Sequence, residues 1–417
     1  MRNVGAFTVW LSAALILAMS ARARAEDAPA APAVTSTPGS TSTPASADPR
    51  ADGDSAALSQ LAHFVEIHGF ASQGFIKTTG TNYLVQNSKR GSFEFNEIGF
   101  NLTKDLTDRL RVGMQIFARS VGSVGTYTPK FDWFYLDYHF QDWLGFRAGR
   151  TKLPFGLYNE VYDIDSARVP VLLPQSIYPL LNRDTLLAQT GLEAYGYVRI
   201  GPLGAIDYRL YGGTFYFPTP SAPGATLLQY DVPYIIGGRV MWETPLEGLR
   251  MGGSLQAARI DADYTVVGAG GAVIPVSLQF PYLIGVVSVE YIAHDLLLAA
   301  EWGRWRADIE TNIAPATRTV NERAYALAQY RVLPWLTPAV YYSVFVPNID
   351  HREGTEHHQY DLAATLRFDF NAHWLLKLEG HYLQGTGDVS RDLNDNRPLS
   401  SLANDWFMIL AKTTVYF

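Results

Sequence analysis

The sequence predicts an all-β protein: a 16-stranded antiparallel transmembrane β-barrel, with short periplasmic turns and long outer loops, in an outer membrane of the Gram-negative type. Three observations predict it. Apolar and polar residues alternate with period two in segments of about ten residues, the length at which a tilted strand crosses a bilayer. The connections between those segments alternate between short and long. No stretch after residue 25 approaches the about 18 consecutive apolar residues of a membrane-spanning helix.

In chain order, residues 1–25 read as a secretory signal peptide. Arg2 supplies the positive start, Ala6 to Met19 the apolar stretch, and Ala23-Arg24-Ala25 the small-x-small pattern for a cut before Glu26. Residues 26–57 are rich in Ala, Pro, Ser and Thr and have too little apolar surface to offset their ordering entropy, which predicts a disordered leader. Residues 58–417 are then the barrel. One soluble core of that size would split into domains, whereas a barrel covered by lipid need not. The chain has no cysteine, so no disulfide is expected. It carries −7, and losing Arg2, Arg22 and Arg24 with the signal leaves −10, a balance that argues against a nucleic-acid partner.

Alternation is clearest in three segments. From Arg109 to Arg119, Leu110, Val112, Met114 and Ile116 oppose Arg111, Gln115 and Arg119. From Gln359 to Phe370, Tyr360, Leu362, Ala364, Leu366, Phe368 and Phe370 oppose Gln359, Asp361, Thr365, Arg367 and Asp369. From Trp374 to Tyr382, Trp374, Leu376, Leu378 and Tyr382 oppose Lys377, Glu379 and His381. A bulge is expected at Trp302-Gly303-Arg304-Trp305-Arg306, where the inner side would hold either Trp305 or Arg304 and Arg306. Short connections are read at 104–108, 141–142, 201–204, 244–248, 294–295, 333–334 and 371–372. Long ones are read near 79–91, 120–129, 153–186, 217–232, 263–278, 308–320, 347–357 and 385–404. Seven short and eight long connections join sixteen strands, the even count of bacterial barrels.

Aromatic residues gather at the short turns: Phe140 and Trp143, Trp242, Trp335, Phe370 and Trp374. Such rings suit a lipid–water interface. At the end of the sequence Phe407, Ile409, Ala411, Val415 and Phe417 share one face, and a last strand ending on phenylalanine resembles the assembly signal of outer-membrane barrels.

The stretch Phe146-Arg147-Ala148-Gly149-Arg150-Thr151-Lys152-Leu153-Pro154-Phe155-Gly156-Leu157 resembles the porin superfamily that contains the phosphate-selective porins O and P. Residues 93–157 carry most of the resemblance, and the strand layout extends it over the remainder. It implies that the loop after this stretch folds into the lumen and that the chain forms a homotrimer. There is no dense run of inward lysines and arginines. Inward faces mix signs instead, as in Glu193 with Arg199 and Asp207 with Arg209, so phosphate selectivity is not carried over.

The function expected is passive diffusion of small hydrophilic solutes or ions through a water-filled channel, where pore width and wall charge decide selectivity. Its partners are then outer-membrane lipid and the solutes. Loop 153–186 is the candidate constriction, with Lys152, Glu160, Asp163, Asp165, Arg168, Arg183 and Asp184. Facing wall candidates are Arg111, Arg119, Arg147, Arg199, Arg209, Arg239, Arg367 and Lys377. Acids on one side and arginines on the other would set a field across the lumen, or would pair with one another to hold the loop. A barrel plugged by its own loops, structural or adhesive, is the alternative. A barrel hydrolase is a weaker one, since no Gly-x-Ser-x-Gly and no evident Ser/His pair occurs. No cofactor and no metal is expected: His351, Glu353, Glu356, His357 and His358 read as a solvated loop, Asp392, Asn394, Asp395 and Asn396 lack the downstream Glu of a calcium loop, and Gly268, Gly270 and Gly271 read as a loop tip.

Overall fold

The computed structural model describes residues 65–122, 125–215, 225–267 and 272–417. The signal, the leader and the glycines at 268, 270 and 271 lie outside the described residues. Sixteen strands follow in chain order: β1 (Glu66–Thr78), β2 (Phe95–Thr107), β3 (Leu110–Val121), β4 (Lys130–Gln141), β5 (Leu144–Lys152), β6 (Ala188–Arg199), β7 (Ala205–Thr214) and β8 (Ala225–Glu243). They continue as β9 (Leu249–Val267), β10 (Val273–Ala293), β11 (Leu296–Thr311), β12 (Thr317–Tyr330), β13 (Leu336–Val346), β14 (Gln359–Asn371), β15 (Trp374–Gly385) and β16 (Asp405–Tyr416). Each pairs antiparallel with its sequence neighbours, and β1 pairs with β16, so the sheet closes on itself and leaves no edge. Gly69 and Phe417 exchange two backbone hydrogen bonds of 3.0 Å at the seam. Gly69 is required there because the Phe417 ring lies over it: a Cβ would sit 2.2 Å from the ring. No helix among the described residues is long and apolar enough to cross a membrane.

The barrel reverses the polarity of a soluble protein. Outward positions such as Ile98, Phe134, Leu136, Leu192, Leu255, Val287, Leu362 and Ile409 are exposed, while Glu97, Gln115, Asp137, Glu193, Gln256, Glu290, Thr365 and Lys377 are buried inside. An exposed apolar wall of this extent needs a lipid covering. At the short-turn end, Phe140 and Trp143 meet edge-on at 6.3 Å, and Phe370 and Trp374 pack tilted at 4.4 Å. The Trp242 and Trp374 indoles donate to the Leu203 carbonyl and the Thr413 hydroxyl, the wet end of an amphipathic ring.

Three predicted loops prove to be largely strand. The segments read at 217–232, 263–278 and 308–320 shorten because β8 begins at Ala225, β9 runs to Val267, β10 starts at Val273, and β11 and β12 are separated only by 312–316. Strands β8, β9 and β10 have 19, 19 and 21 residues, about twice what a bilayer requires. β-branched runs such as Thr265-Val266-Val267 and Val273-Ile274 favour extended backbone. Beyond the bilayer both faces of a hairpin meet water, so alternation fades although pairing continues. The bulge expected near Trp302 is absent: β10 and β11 stay in register from Leu283↔Arg306 to Val286↔Gly303. Trp305 therefore faces inward and is buried, and Arg304 and Arg306 are half exposed.

Candidate functional site

Residues 153–187 leave β5 and enter the barrel, where they meet the inner faces of strands on every side. Gly156 N–H donates to the Ser254 hydroxyl on β9 at 2.9 Å. Leu157 N–H donates to Glu301 on β11 at 3.0 Å. The Ser176 hydroxyl donates to the Ala324 carbonyl on β12 at 3.0 Å and shares a 2.8 Å hydrogen bond with Ser343 on β13. Val171 and Leu172 N–H donate to the two oxygens of Glu379 on β15 at 2.7 and 2.9 Å. Most of the segment is buried.

The loop candidates are brought together with wall residues as contact pairs. Glu160 meets Arg209 at 2.7 Å and Arg239 at 2.9 Å. Asp163 is clamped by Arg183 at 2.5 Å and lies 3.4 Å from Lys152, whose ammonium also donates to the Glu160 carbonyl. Asp165 gathers Lys412 at 2.7 Å, Arg168 at 3.0 Å and Lys377 at 3.4 Å, and accepts from the Thr414 hydroxyl. Arg183 also meets Asp132 on β4 at 2.7 Å and lies over the Phe117 ring. Asp184 pairs with Lys130 at 2.5 Å and Arg119 at 3.3 Å. Burial alone would raise these aspartates, but the facing cations outweigh it. Arg183 and Lys152 hold Asp163 below the usual carboxylate range, Lys412 and Lys377 do so for Asp165, and Arg119 and Arg183 for Asp184.

Among the wall candidates, Arg367 donates to the Ser166 carbonyl at 2.7 Å and pairs with Asp369. Arg147 pairs with Asp137 at 2.8 Å and Glu193 at 3.5 Å, beside the loop's anchor. Two candidates stand apart from the loop. Arg111 pairs with Glu66 and Asp105 near the turn end of β3, and Arg199 is exposed at the last residue of β6. Facing inward does not fix height, and alternation carries no height information.

The sequence reading missed several anchors. Glu301 accepts from Leu157 N–H and from the hydroxyls of Tyr178, Tyr325 and Ser288. Asp132 and Lys412 complete the ionic clusters. The inward charge of Lys412 among Trp406, Met408 and Leu410 was the available signal. Two further connections also pack inward. Tyr83 of 79–94 stacks edge-on with Trp406 at 5.3 Å, and its hydroxyl donates to Asp388 of 386–404 at 2.6 Å. The Asn394 amide oxygen accepts from Thr81 hydroxyl and Asn82 N–H, both at 2.9 Å, and its nitrogen donates to the Asn82 and Ser390 carbonyls. Asn394 therefore latches two loops together. His358 stacks on Tyr360 at 4.9 Å. Among the described residues no group of three or more His, Asp and Glu is placed to hold a metal ion.

No family model and no curated protein matches the chain. Among solved structures, the outer-membrane expressed OmpT of Vibrio cholerae is similar at 10% identity over 85% of this chain and 97% of that one, with a TM-score of 0.54. OprB of Pseudomonas putida is similar at 11% identity over 88% of this chain and 97% of that one, with a TM-score of 0.52. At these identities the likeness is one of fold: the chain is a closed sixteen-stranded antiparallel β-barrel with the architecture of outer-membrane barrels.

Proposed function

We propose that the chain is an outer-membrane porin, exported by its N-terminal signal, whose lumen passes small hydrophilic solutes or ions by passive diffusion and is narrowed by residues 153–187. One observation carries the reading. The longest connection of a barrel with an apolar outside and a polar inside is fastened within the lumen rather than above it. The candidate charges in and around the loop are engaged in contact pairs, so their fields largely cancel at a distance and weak ion selectivity is expected. A homotrimer is the assembly implied by the porin resemblance.

The test is conductance of the purified barrel in planar bilayers. Defined single-channel steps support the porin reading, and an intact barrel that never conducts would replace it with a plugged structural barrel. Reversal potentials under a salt gradient then locate the charges. Charge reversal at Arg147 is expected to shift the potential and at Arg199, far from the loop, to leave it nearly unchanged. An unmoved potential for Arg147 removes it from the narrow zone.

A further inference from the structure

The lumen holds a cavity of about 390 Å³ on the long-loop side of residues 175–186, roofed by Asp388 and Val389 of the last long connection. Its walls are apolar and aromatic: Leu180, Leu186, Phe280, Tyr282, Trp305 and Phe345. Two arginines stand among them: Arg306, which is paired with Asp308, and Arg323. Arg323, on the inner face of β12, is only 8% exposed. Its guanidinium lies 3.8 Å from the Trp305 ring centroid and 4.3 Å from that of Phe345. It donates from Nε to the Asn321 side chain at 2.8 Å and from Nη1 to the Ser176 carbonyl at 2.6 Å.

Those partners are neutral. Among the described residues no carboxylate lies within ion-pairing distance of Arg323, although the other buried arginines of the lumen, Arg119, Arg168 and Arg183, each have one. A buried charge is unfavourable unless it is paired; Asp388 acts on Arg323 only from beyond contact distance, so the guanidinium has no carboxylate in contact beside an aromatic wall. The two acids in its lining have hydrogen-bond partners of their own: Asp388 accepts from the Tyr83 hydroxyl, and Glu356 from the Thr355 hydroxyl. They disfavour a second negative charge in the same space.

We propose that this cavity binds a small organic monoanion with an apolar body, an aromatic carboxylate of one or two rings, with its acid group on Arg323 and its rings between Trp305, Phe345 and the Leu180–Leu186 side of the loop. The volume falls in the range of small-molecule sites, and an apolar pocket with a few convergent polar groups is the usual form of such a site. Arginine presents a planar fork that matches a carboxylate. A role in uptake rests on the porin reading, whereas occupancy of the cavity does not.

The test is titration calorimetry of the detergent-solubilised full barrel with 2-naphthoate, with empty detergent subtracted. The neutral 2-naphthylmethanol and the dianionic 2,6-naphthalenedicarboxylate serve as comparison probes. Saturable naphthoate binding is expected, with both comparison probes at least about tenfold weaker, the scale of one charge-assisted hydrogen-bonded contact. Arg323→Gln should reduce naphthoate affinity about tenfold or more, and Arg323→Lys less. Ala307→Trp fills the cavity from β11 and leaves every Arg323 partner in place, and it should abolish binding. Arg318→Gln, outside the cavity, should change nothing. Absence of naphthoate binding, equal binding of the alcohol, or full binding by the Ala307→Trp barrel would overturn the proposal. Conductance without probe separates the two readings. A conducting barrel that ignores naphthoate overturns only the site, and a silent barrel that binds it overturns only the channel.

Discussion

The inward loop has two halves that are held by opposite means. From Glu160 to Arg168, and again at Arg183 and Asp184, it carries its own charges and trades them with lysines, arginines and an aspartate of the wall. From Val169 to Asn182 it has no charged residue at all. There the wall supplies the charge and the loop supplies backbone N–H groups, hydroxyls and apolar bulk: Glu379 receives Val171 and Leu172, and Glu301 receives the Tyr178 hydroxyl. Leu172, Leu173, Ile177 and Leu180 belong to the cluster that includes Ile284, Trp305, Tyr325 and Tyr341. The ionic half is therefore locked by complementarity of side chains. The uncharged half is locked by wall groups that pair with its main chain and its hydroxyls.

The largest effect should come from breaking the ionic half at its busiest point. Asp165→Leu leaves Lys377 buried without a carboxylate and Lys412 with Glu97 alone, which costs about 3–5 kcal/mol. Urea unfolding in lipid should show the loss, and protease cleavage should appear within 158–168. If neither changes, the ionic half is not the anchor. Next, Glu379→Leu orphans two loop N–H groups and frees the Thr365 hydroxyl and His381 Nε2, while His381 Nδ1 keeps Asp361. At about 1–3 kcal/mol for each buried donor left unsatisfied, cleavage should move to 169–182 and single-channel conductance should rise. Conductance that stays at the wild-type value would mean that the tip does not narrow the lumen.

Acidification should separate the halves more gently. Asp163, Asp165 and Asp184 have native values below their unfolded ones. Their contribution is complete above the ordinary carboxylate value of about 4 and is lost as pH falls through the lowered native values. Cleavage in 158–168 should thus appear only in strongly acidic solution. Asp388 behaves in the opposite sense. Burial pushes its carboxyl up to about 6, so its contribution is full below the ordinary value and disappears as pH rises through about 6. Protection of 386–404 should improve between pH 7 and pH 5, and no improvement would place Asp388 in contact with water. The smallest effect belongs to an exposed pair: Arg318→Gln, which loses Asp308 at 2.7 Å, should shift stability by less than about 1 kcal/mol.

The same contrast explains what the sequence could reveal. Strand number, facing and turn positions were legible because lipid outside and water inside impose a strict two-residue period, as in β14 and β15. The ionic half of the loop was legible because Glu160, Asp163 and Asp165 announce themselves as charges that need partners. The uncharged half was not, because a carboxylate such as Glu379 in the middle of a strand looks like any lumen acid until its main-chain donors, Val171 and Leu172, are in place. Arg323 was overlooked for a similar reason: one more inward arginine looks like the others, and only the lack of a carboxylate in contact with it distinguishes it. Strand ends at β8–β10 were misjudged because the pattern weakens where the membrane stops while the hydrogen bonds continue.

Those long strands have a consequence for how anything reaches the mouth. With about ten residues needed inside the bilayer, β8, β9 and β10 leave roughly nine or more beyond it, a rise of about 20–25 Å at the usual strand pitch and tilt. On the opposite side of the barrel β16, β1 and β2 have only 12, 13 and 13 residues. The rim is therefore a slope rather than a ring. The entrance faces sideways, behind a parapet on one flank, so molecules diffusing in from the low flank have a wider angle of approach than those arriving over the high one.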